Sequence, residues 1–352
     1  MSEPMKVGVV GCGIIAARYV ADSPAFAHWE PVACADLDTE LAQSFAEEHG
    51  LRALSVDELI ADPEVELVLN LTPPKVHAAV VRAGLEAGKH VYTEKPLAAT
   101  LAEARQLVAL ADELGLRLGC APDTFLSGAF QRGKRLIEEG AIGTPLGAAA
   151  TMLVGGPDGW HPNAEMFYRA GGGPLLDIAP YYLTAIVSLL GPIDSVAAFT
   201  ETPTAQRTLG AGTRAGETIT VDVPTHAAVL LRLASGALAT MTVSFEARGQ
   251  YESGIVVYGM EGSIVLPDAN AFGGDVLLRE GREKGSRTIP YESLGAQETR
   301  GRGIDELVEA LRAGRPHQAS GELALHVLEA AEAAVTSGEE RRFLELTTRP
   351  AA

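Results

Sequence analysis

At 352 residues the chain exceeds what one hydrophobic core usually organises, so two domains are expected. Its 47% hydrophobic and 21% charged residues are the composition of a folded globular protein and exclude a largely disordered chain. The formal net charge of −18, with no block of lysine and arginine, makes nucleic acid an unexpected partner.

The opening stretch MSEPMKVGVVGCGIIAARYV puts an acid before its first apolar run and glycines inside it, unlike the basic start of a secretory signal. No apolar stretch reaches the ~18 residues that span a bilayer, so no membrane partner is expected. The three cysteines, at 12, 34 and 120, form no C-x-x-C pair. They support neither a disulfide framework nor a zinc site, no other metal site is read, and a reducing cytoplasm fits best.

Residues 5–122 alternate short apolar strands with helical patterns: MKVGVV, then a helix from about 14; PVACAD, then 39–49; ELVLNLT, then 75–87; HVYTE, then 100–114; and RLGCAP. Regular alternation with short loops predicts a parallel, doubly wound sheet covered by helices on both faces, so 1–122 reads as one α/β domain. After a helix at about 126–139 the pattern changes to long alternating segments joined by glycine turns. THAAVLLRLASGALATMTVSFEAR (225–248) reads as two strands around Ser235-Gly236, and GIVVYGMEGSIVL (254–266) as a hairpin around Glu261-Gly262. Residues 203–216 and 267–287 are polar and glycine-rich and read as loops, and helical patterns at about 303–313 and 321–337 close the chain. Residues 123–352 are therefore expected as an α+β domain with a large, mostly antiparallel sheet, which binds substrate and offers a face to a subunit partner.

The first strand runs into GCGIIA, a G-x-G-x-x-A built from Gly11, Gly13 and Ala16, with Ile14 and Ile15 opening the helix. Gly11 permits the tight turn, Gly13 lets backbone amides approach a pyrophosphate, and Ala16 lets helix pack on strand. Asp36 lies 20 residues beyond Ala16, at the end of the second strand, where a carboxylate accepts hydrogen bonds from ribose hydroxyls. A 2′-phosphate there would meet Asp36 and Asp38, so NAD is favoured over NADP. The third strand closes with NLTPPKVHA: Thr72, Pro73 and Pro74 present carbonyls where the nicotinamide half of a cofactor would pass, and the prolines equally suit a helix N-terminus. His77 is a further candidate cofactor contact, with helix packing or capping as the plainer role.

The fourth strand ends at TEKP, and in open parallel sheets ligands bind outside the carboxyl ends of the strands. Only six of the 28 basic residues are lysine, so the choice of lysine at 95 carries meaning. Unlike arginine, it loses a proton when desolvated or set beside a cationic nicotinamide. Lys95 is therefore the expected proton carrier, with Glu94 beside it at the cofactor; the plain alternative is a solvated lysine paired with Glu94.

GCGIIA, NLTPPKVH, TEKPL, CAPDTFL and GGGPLLDIAPYYL together resemble the Gfo/Idh/MocA oxidoreductases, the glucose-fructose oxidoreductase and inositol 2-dehydrogenase group. The likeness covers nearly the whole chain, including SGELALHVLEAA near its end. It implies a Rossmann domain followed by a mostly antiparallel α/β domain, a homodimer or homotetramer built through the second domain's sheet, and oxidation or reduction of a carbinol of a sugar, sugar derivative or cyclitol. It also implies a second catalytic segment, GGGPLLDIAPYYL, where the family has aspartate followed four residues later by histidine. Asp177 matches, whereas Tyr181 stands at the histidine position; spacing i, i+4 would put both on one face of a helix, and a phenol can carry a proton. Trp160, His161, Tyr168 and Arg169 in WHPNAEMFYRAGGG suit a sugar ring, and His161 is a substitute candidate for the missing histidine. Asp123 and Thr124 in APDTFL are candidate substrate contacts or helix caps.

The expected activity is an NAD-dependent dehydrogenase or reductase acting on a sugar, glycoside or cyclitol, with Lys95 exchanging the hydroxyl proton and Asp177 orienting it. Two other readings stay open. One is glycoside cleavage through transient oxidation and elimination, and the other a dinucleotide-bound regulator without catalysis.

Overall fold

A computed structural model describes residues 3–249, 253–281 and 285–350. The chain divides into two compact units, one comprising the residues up to Leu126 together with Leu294–Leu325, the other Ser127–Ser293 together with His326–Pro350.

The first unit contains β1 (Met5–Val10), α1 (Ile14–Asp22), β2 (Trp29–Ala35), α2 (Thr39–His49), β3 (Arg52–Ala53), α3 (Val56–Ala61), β4 (Leu67–Asn70), α4 (His77–Glu86), β5 (His90–Thr93), α5 (Leu101–Leu114) and β6 (Leu118–Cys120). Its six strands run parallel in the order β3-β2-β1-β4-β5-β6. Strands such as β4, LVLN, are buried throughout, as a sheet covered on both faces requires. The helices start where side chains can take up their free amides: Asp38 caps α2, Ser55 and Glu58 form a capping box on α3, and Thr100 caps α5. The strand order reverses between β1 and β4, and the loops leaving their carboxyl ends are where such a sheet binds ligands.

The second unit contains α6 (Gly128–Glu138), β7 (Pro145–Leu153), α7 (Pro174–Asp177), α8 (Ala179–Leu190), β8 (Ile193–Glu201), β9 (Gln206–Thr208), β10 (Thr218–Thr220), β11 (His226–Leu233), β12 (Leu238–Ser244), β13 (Gly254–Gly259), β14 (Gly262–Leu266), β15 (Leu277–Glu280) and β16 (Arg287–Thr288). The chain closes with α9 (Arg302–Arg312), α10 (Gly321–Glu340) and β17 (Leu344–Glu345). Nine strands form one sheet in the order β16-β15-β14-β13-β7-β12-β11-β8-β17, antiparallel except for the parallel β7–β12 pair. Along β11, Ala227, Val229, Leu231 and Leu233 are buried while Ala228, Leu230 and Arg232 are exposed. One face of the sheet is therefore core and the other open. α8 is apolar almost all round and correspondingly buried, a helix of the interior.

The structure adds elements that the sequence reading does not place, β3, α3, β7 and β8 among them, and it changes the reading of three segments. The 203–216 loop contributes to the antiparallel β9–β10 ribbon, in which only Arg207 and Ile219 point inward; that is too little alternation to read. The 267–287 loop contains β15, held on β14 with Leu278 opposite Ile264. Residues 294–325, read with the second domain, pack into the first unit: Ile304, Leu307 and Val308 of α9 join a core that includes Val7, Leu67 and Tyr92. An amphipathic helix shows in sequence that it has a buried face, but not which sheet buries it. No helix among the described residues is long and apolar enough to cross a membrane.

Candidate active site

At the carboxyl end of β1, Gly11 has φ +97°, and a Cβ there would lie 2.8 Å from the Leu71 carbonyl. Only glycine fits this crossing of the loops after β1 and β4. Gly13, by contrast, has open space where its Cβ would be. It precedes α1, whose start has no side-chain cap and no acid in its first turn, so the amides at Ile14 and Ile15 face outward with the positive end of the helix dipole.

Asp36, just past β2, accepts the Cys12 amide on Oδ2 at 2.8 Å and the Asp38 amide on Oδ1 at 3.0 Å. It is half-buried and keeps acceptor capacity on both oxygens for ribose hydroxyls. Ile14, which opens α1, and Leu37, just past β2, are 83% and 91% exposed, apolar surfaces suited to an adenine ring. Uncapped amides, a carboxylate and these apolar surfaces fit NAD.

Pro73 and Pro74 lead a 3-10 turn into α4, so they do start a helix; Thr72 and Pro74 are half-buried and Pro73 exposed. His77 is not a cofactor contact: its side chain is enclosed at 1% exposure with both ring nitrogens against backbone carbonyls, Nδ1 at 2.6 Å from Pro96 O and Nε2 at 2.7 Å from Thr72 O.

Lys95 is half-buried on the turn after β5. Glu94, instead of reaching outward, accepts the Tyr19 hydroxyl on Oε1 at 2.9 Å and the Lys95 amide on Oε2 at 3.1 Å. Burial, reinforced by the Glu94 and Asp123 carboxylates, pushes the Tyr19 phenol well above its usual range, which keeps it a donor. Asp123 is also corrected. It is fully buried, and its Oδ2 accepts the amides of Gly301 and Gly303 at 3.2 and 3.0 Å, so it caps the start of α9 rather than meeting substrate. Its neighbour Thr124, 1% exposed, is equally enclosed.

In the second unit, the segment from Gly155 to Gly173 presents Trp160, 69% exposed. His161 stands edge-on to both Trp160 and Phe167, at ring separations of 5.4 and 4.9 Å, and accepts the Asn163 amide on Nδ1 at 3.0 Å. Tyr168 is not a substrate contact. It is fully buried, donates to the Asp158 carboxylate, and lies under the Arg207 guanidinium, 5.5 Å from its ring centre. Arg169 is committed to ion pairs with Glu165 and Asp222.

Asp177 ends α7 and Tyr181 lies in α8, with Ile178 between at φ −106° and ψ −36°. Ile178 interrupts the helix for one residue while its own backbone stays in the right-handed helical region. Asp177 is half-buried and Tyr181 is 6% exposed.

Three structural participants escaped the sequence reading. Asn70 was visible as the lone amide in an apolar strand, and Tyr19 as a hydroxyl on the inward stripe of α1. Arg207 gave no signal, because a single arginine in a polar segment looks like solvent-facing charge.

Residues 5–121 match the family model described as an oxidoreductase family with NAD-binding Rossmann fold, and residues 130–265 that of the GFO/IDH/MocA C-terminal domain. The 1,5-anhydro-D-fructose reductase of Ensifer adhaerens is 30% identical over 73% of this chain and 74% of its own. The levoglucosan dehydrogenase of Pseudarthrobacter phenanthrenivorans is 30% identical over 75% and 74%. A solved levoglucosan dehydrogenase in complex with NADH and L-sorbose superposes with a TM-score of 0.84 at 25% identity, covering 99% of this chain and 100% of that one.

Proposed function

As a member of the Gfo/Idh/MocA oxidoreductases this chain is an NAD-binding enzyme of a sugar and cyclitol oxidoreductase family, and we propose that it interconverts a secondary alcohol and ketone of a sugar, glycoside or cyclitol. NAD supplies the two-electron hydride chemistry. The observation that carries the reading is a lysine at the carboxyl end of β5, in the same sheet as the Gly11–Gly13 loop and Asp36. Asp36 holds the ribose and the Ile14 and Ile15 amides the pyrophosphate.

Lys95 takes the hydroxyl proton as the carbinol is oxidised and returns it in reduction, a role arginine cannot fill near neutral pH. Asp177 orients the reacting hydroxyl, and Tyr181 stands in for the family histidine as second proton carrier. Trp160 offers its exposed face to the CH side of a sugar ring. The enzyme works as a homo-oligomer joined through the open sheet face, where Phe199 is 77%, Leu230 57% and Leu238 54% exposed, a row of apolar side chains that a second copy would cover.

A panel of sugars and cyclitols, including levoglucosan and 1,5-anhydro-D-fructose, assayed for NADH formation or consumption with products identified in parallel, tests this. Turnover of at least one member with matching change in NADH is expected. Product without net NADH change would replace hydride exchange by the lytic reaction.

A further inference from the structure

We infer that His77 is a positioning residue for Lys95, the tie that fixes the backbone of its turn to the loop at the end of β4. This rests on the reading of Lys95 as proton carrier.

A carbonyl oxygen has no hydrogen to give, so in whichever of the two short contacts is a hydrogen bond the imidazole is the donor. The ring donates to Pro96 from Nδ1, to Thr72 from Nε2, or to both, at 2.6 and 2.7 Å. Enclosed as it is, it has no water to compete for those hydrogens.

Each loop it touches is pinned a second time. Asn70, also fully buried, accepts the Thr72 hydroxyl at 2.7 Å on Oδ1 and donates to the Thr93 hydroxyl at 3.0 Å. Glu94 accepts the Lys95 amide, and Tyr19 of α1 holds Glu94. Lys95 is therefore bracketed: its own amide is fixed on one side and the carbonyl of the next residue on the other. A long flexible side chain acts from a Cα that cannot wander. Misplacement of a reacting group by about 1 Å costs on the order of 10²-fold in rate, so loosening one bracket is felt in turnover.

Amide variants separate the two contacts, since the asparagine amide falls near the Nδ1 position and the glutamine amide near Nε2. The Pro96 contact is the one that reaches Lys95, so His77→Asn should keep turnover within a few-fold of wild type while His77→Gln loses ~10-fold or more. His77→Phe, which keeps a ring and removes every donor, should lose at least as much, with KM and NADH dissociation constant within about threefold. The measurements are kcat and KM for levoglucosan with NAD, or for a faster sugar from the panel above, with NADH binding followed by fluorescence.

His77→Phe is then combined with Lys95→Met. A positioning residue acts through its target, so in that background His77→Phe should add nothing. A further loss as large as in the parent would overturn the inference while leaving Lys95 catalytic; wild-type turnover in Lys95→Met alone would remove the reading beneath it. Should the phenylalanine variant fail to fold, equal rates for His77→Asn and His77→Gln overturn the inference by themselves.

Discussion

The Cys12 amide donates to Asp36 Oδ2 at 2.8 Å, tying the glycine loop after β1 to the acid after β2. The carboxylate proposed to hold the adenosine ribose is thus fixed, and a 2′-phosphate beside it would face its charge with Asp38 two residues on. NAD(H) is expected to bind more tightly than NADP(H) in equilibrium titrations, with Asp36→Ala narrowing the gap. Equal affinities in the unaltered protein would remove the assigned role of Asp36.

Lys95→Arg retains charge and Lys95→Met retains length. Both should fold and bind NADH, because the ribose and phosphate contacts are proposed for Asp36 and the 11–16 loop, while hydride transfer is expected to fall by several orders of magnitude. Single-turnover kinetics decide it. An arginine variant near the wild-type rate would leave Lys95 as strand-end charge only.

Tyr181→Phe keeps the ring and removes the hydroxyl. If the phenol carries a proton, kcat drops by ~10²-fold or more, and an unchanged rate would reassign Tyr181 to packing and turn attention to His161.

His326 accepts the Ile193 amide on Nε2 at 2.9 Å and meets the Thr348 hydroxyl through Nδ1 at 2.9 Å, an arrangement that needs the neutral ring. Burial, slightly opposed by the Glu329 carboxylate, lowers its pKa to about 4. The unfolded chain therefore takes up the proton first. The contribution of this site is complete above about pH 6.5 and is lost as pH falls towards 4, by up to about 3 kcal/mol. Urea melts from pH 7 to 4 should show the unaltered protein losing more stability than His326→Gln, and parallel pH profiles would refute this.

Leu230→Glu on the open face of β11 touches no part of the folded core. Light scattering should report a smaller particle than the unaltered protein, with NADH affinity retained. An unchanged mass would move the subunit contact elsewhere.

Much of the first unit is legible because its signals are local. A strand ending in Gly-x-Gly, an apolar run closed by Asp36, and the helical patterns at 39–49 and 100–114 each depend on neighbours in sequence, whereas α3 at Val56–Ala61 is not read. What the sequence hides is choice of partner. Asp123 reads equally as a ligand contact or a cap until Gly301 and Gly303 arrive from 178 and 180 positions away. Tyr168 looks like a sugar-facing aromatic until Arg207 and Asp158 close over it. The one-residue interruption at Ile178 is equally silent, since neither Ile178 nor Ala179 is a helix breaker; Pro180 suits the first turn of α8 and so permits a helix to restart there.

The return of α9 into the first unit bears on how the protein is made. Ile304, Leu307 and Val308 belong to the same core as Val7 and Leu67, so a ribosome must synthesise residues 127–293 of the second unit before the first can close. For most of synthesis the nascent β-sheet carries an uncovered apolar surface, and the first unit cannot finish in the N-terminal-first order usual for multidomain chains. A fragment ending at Leu126 should therefore be poorly soluble alone, and should recover when residues 294–325 are supplied on the same chain through a short linker.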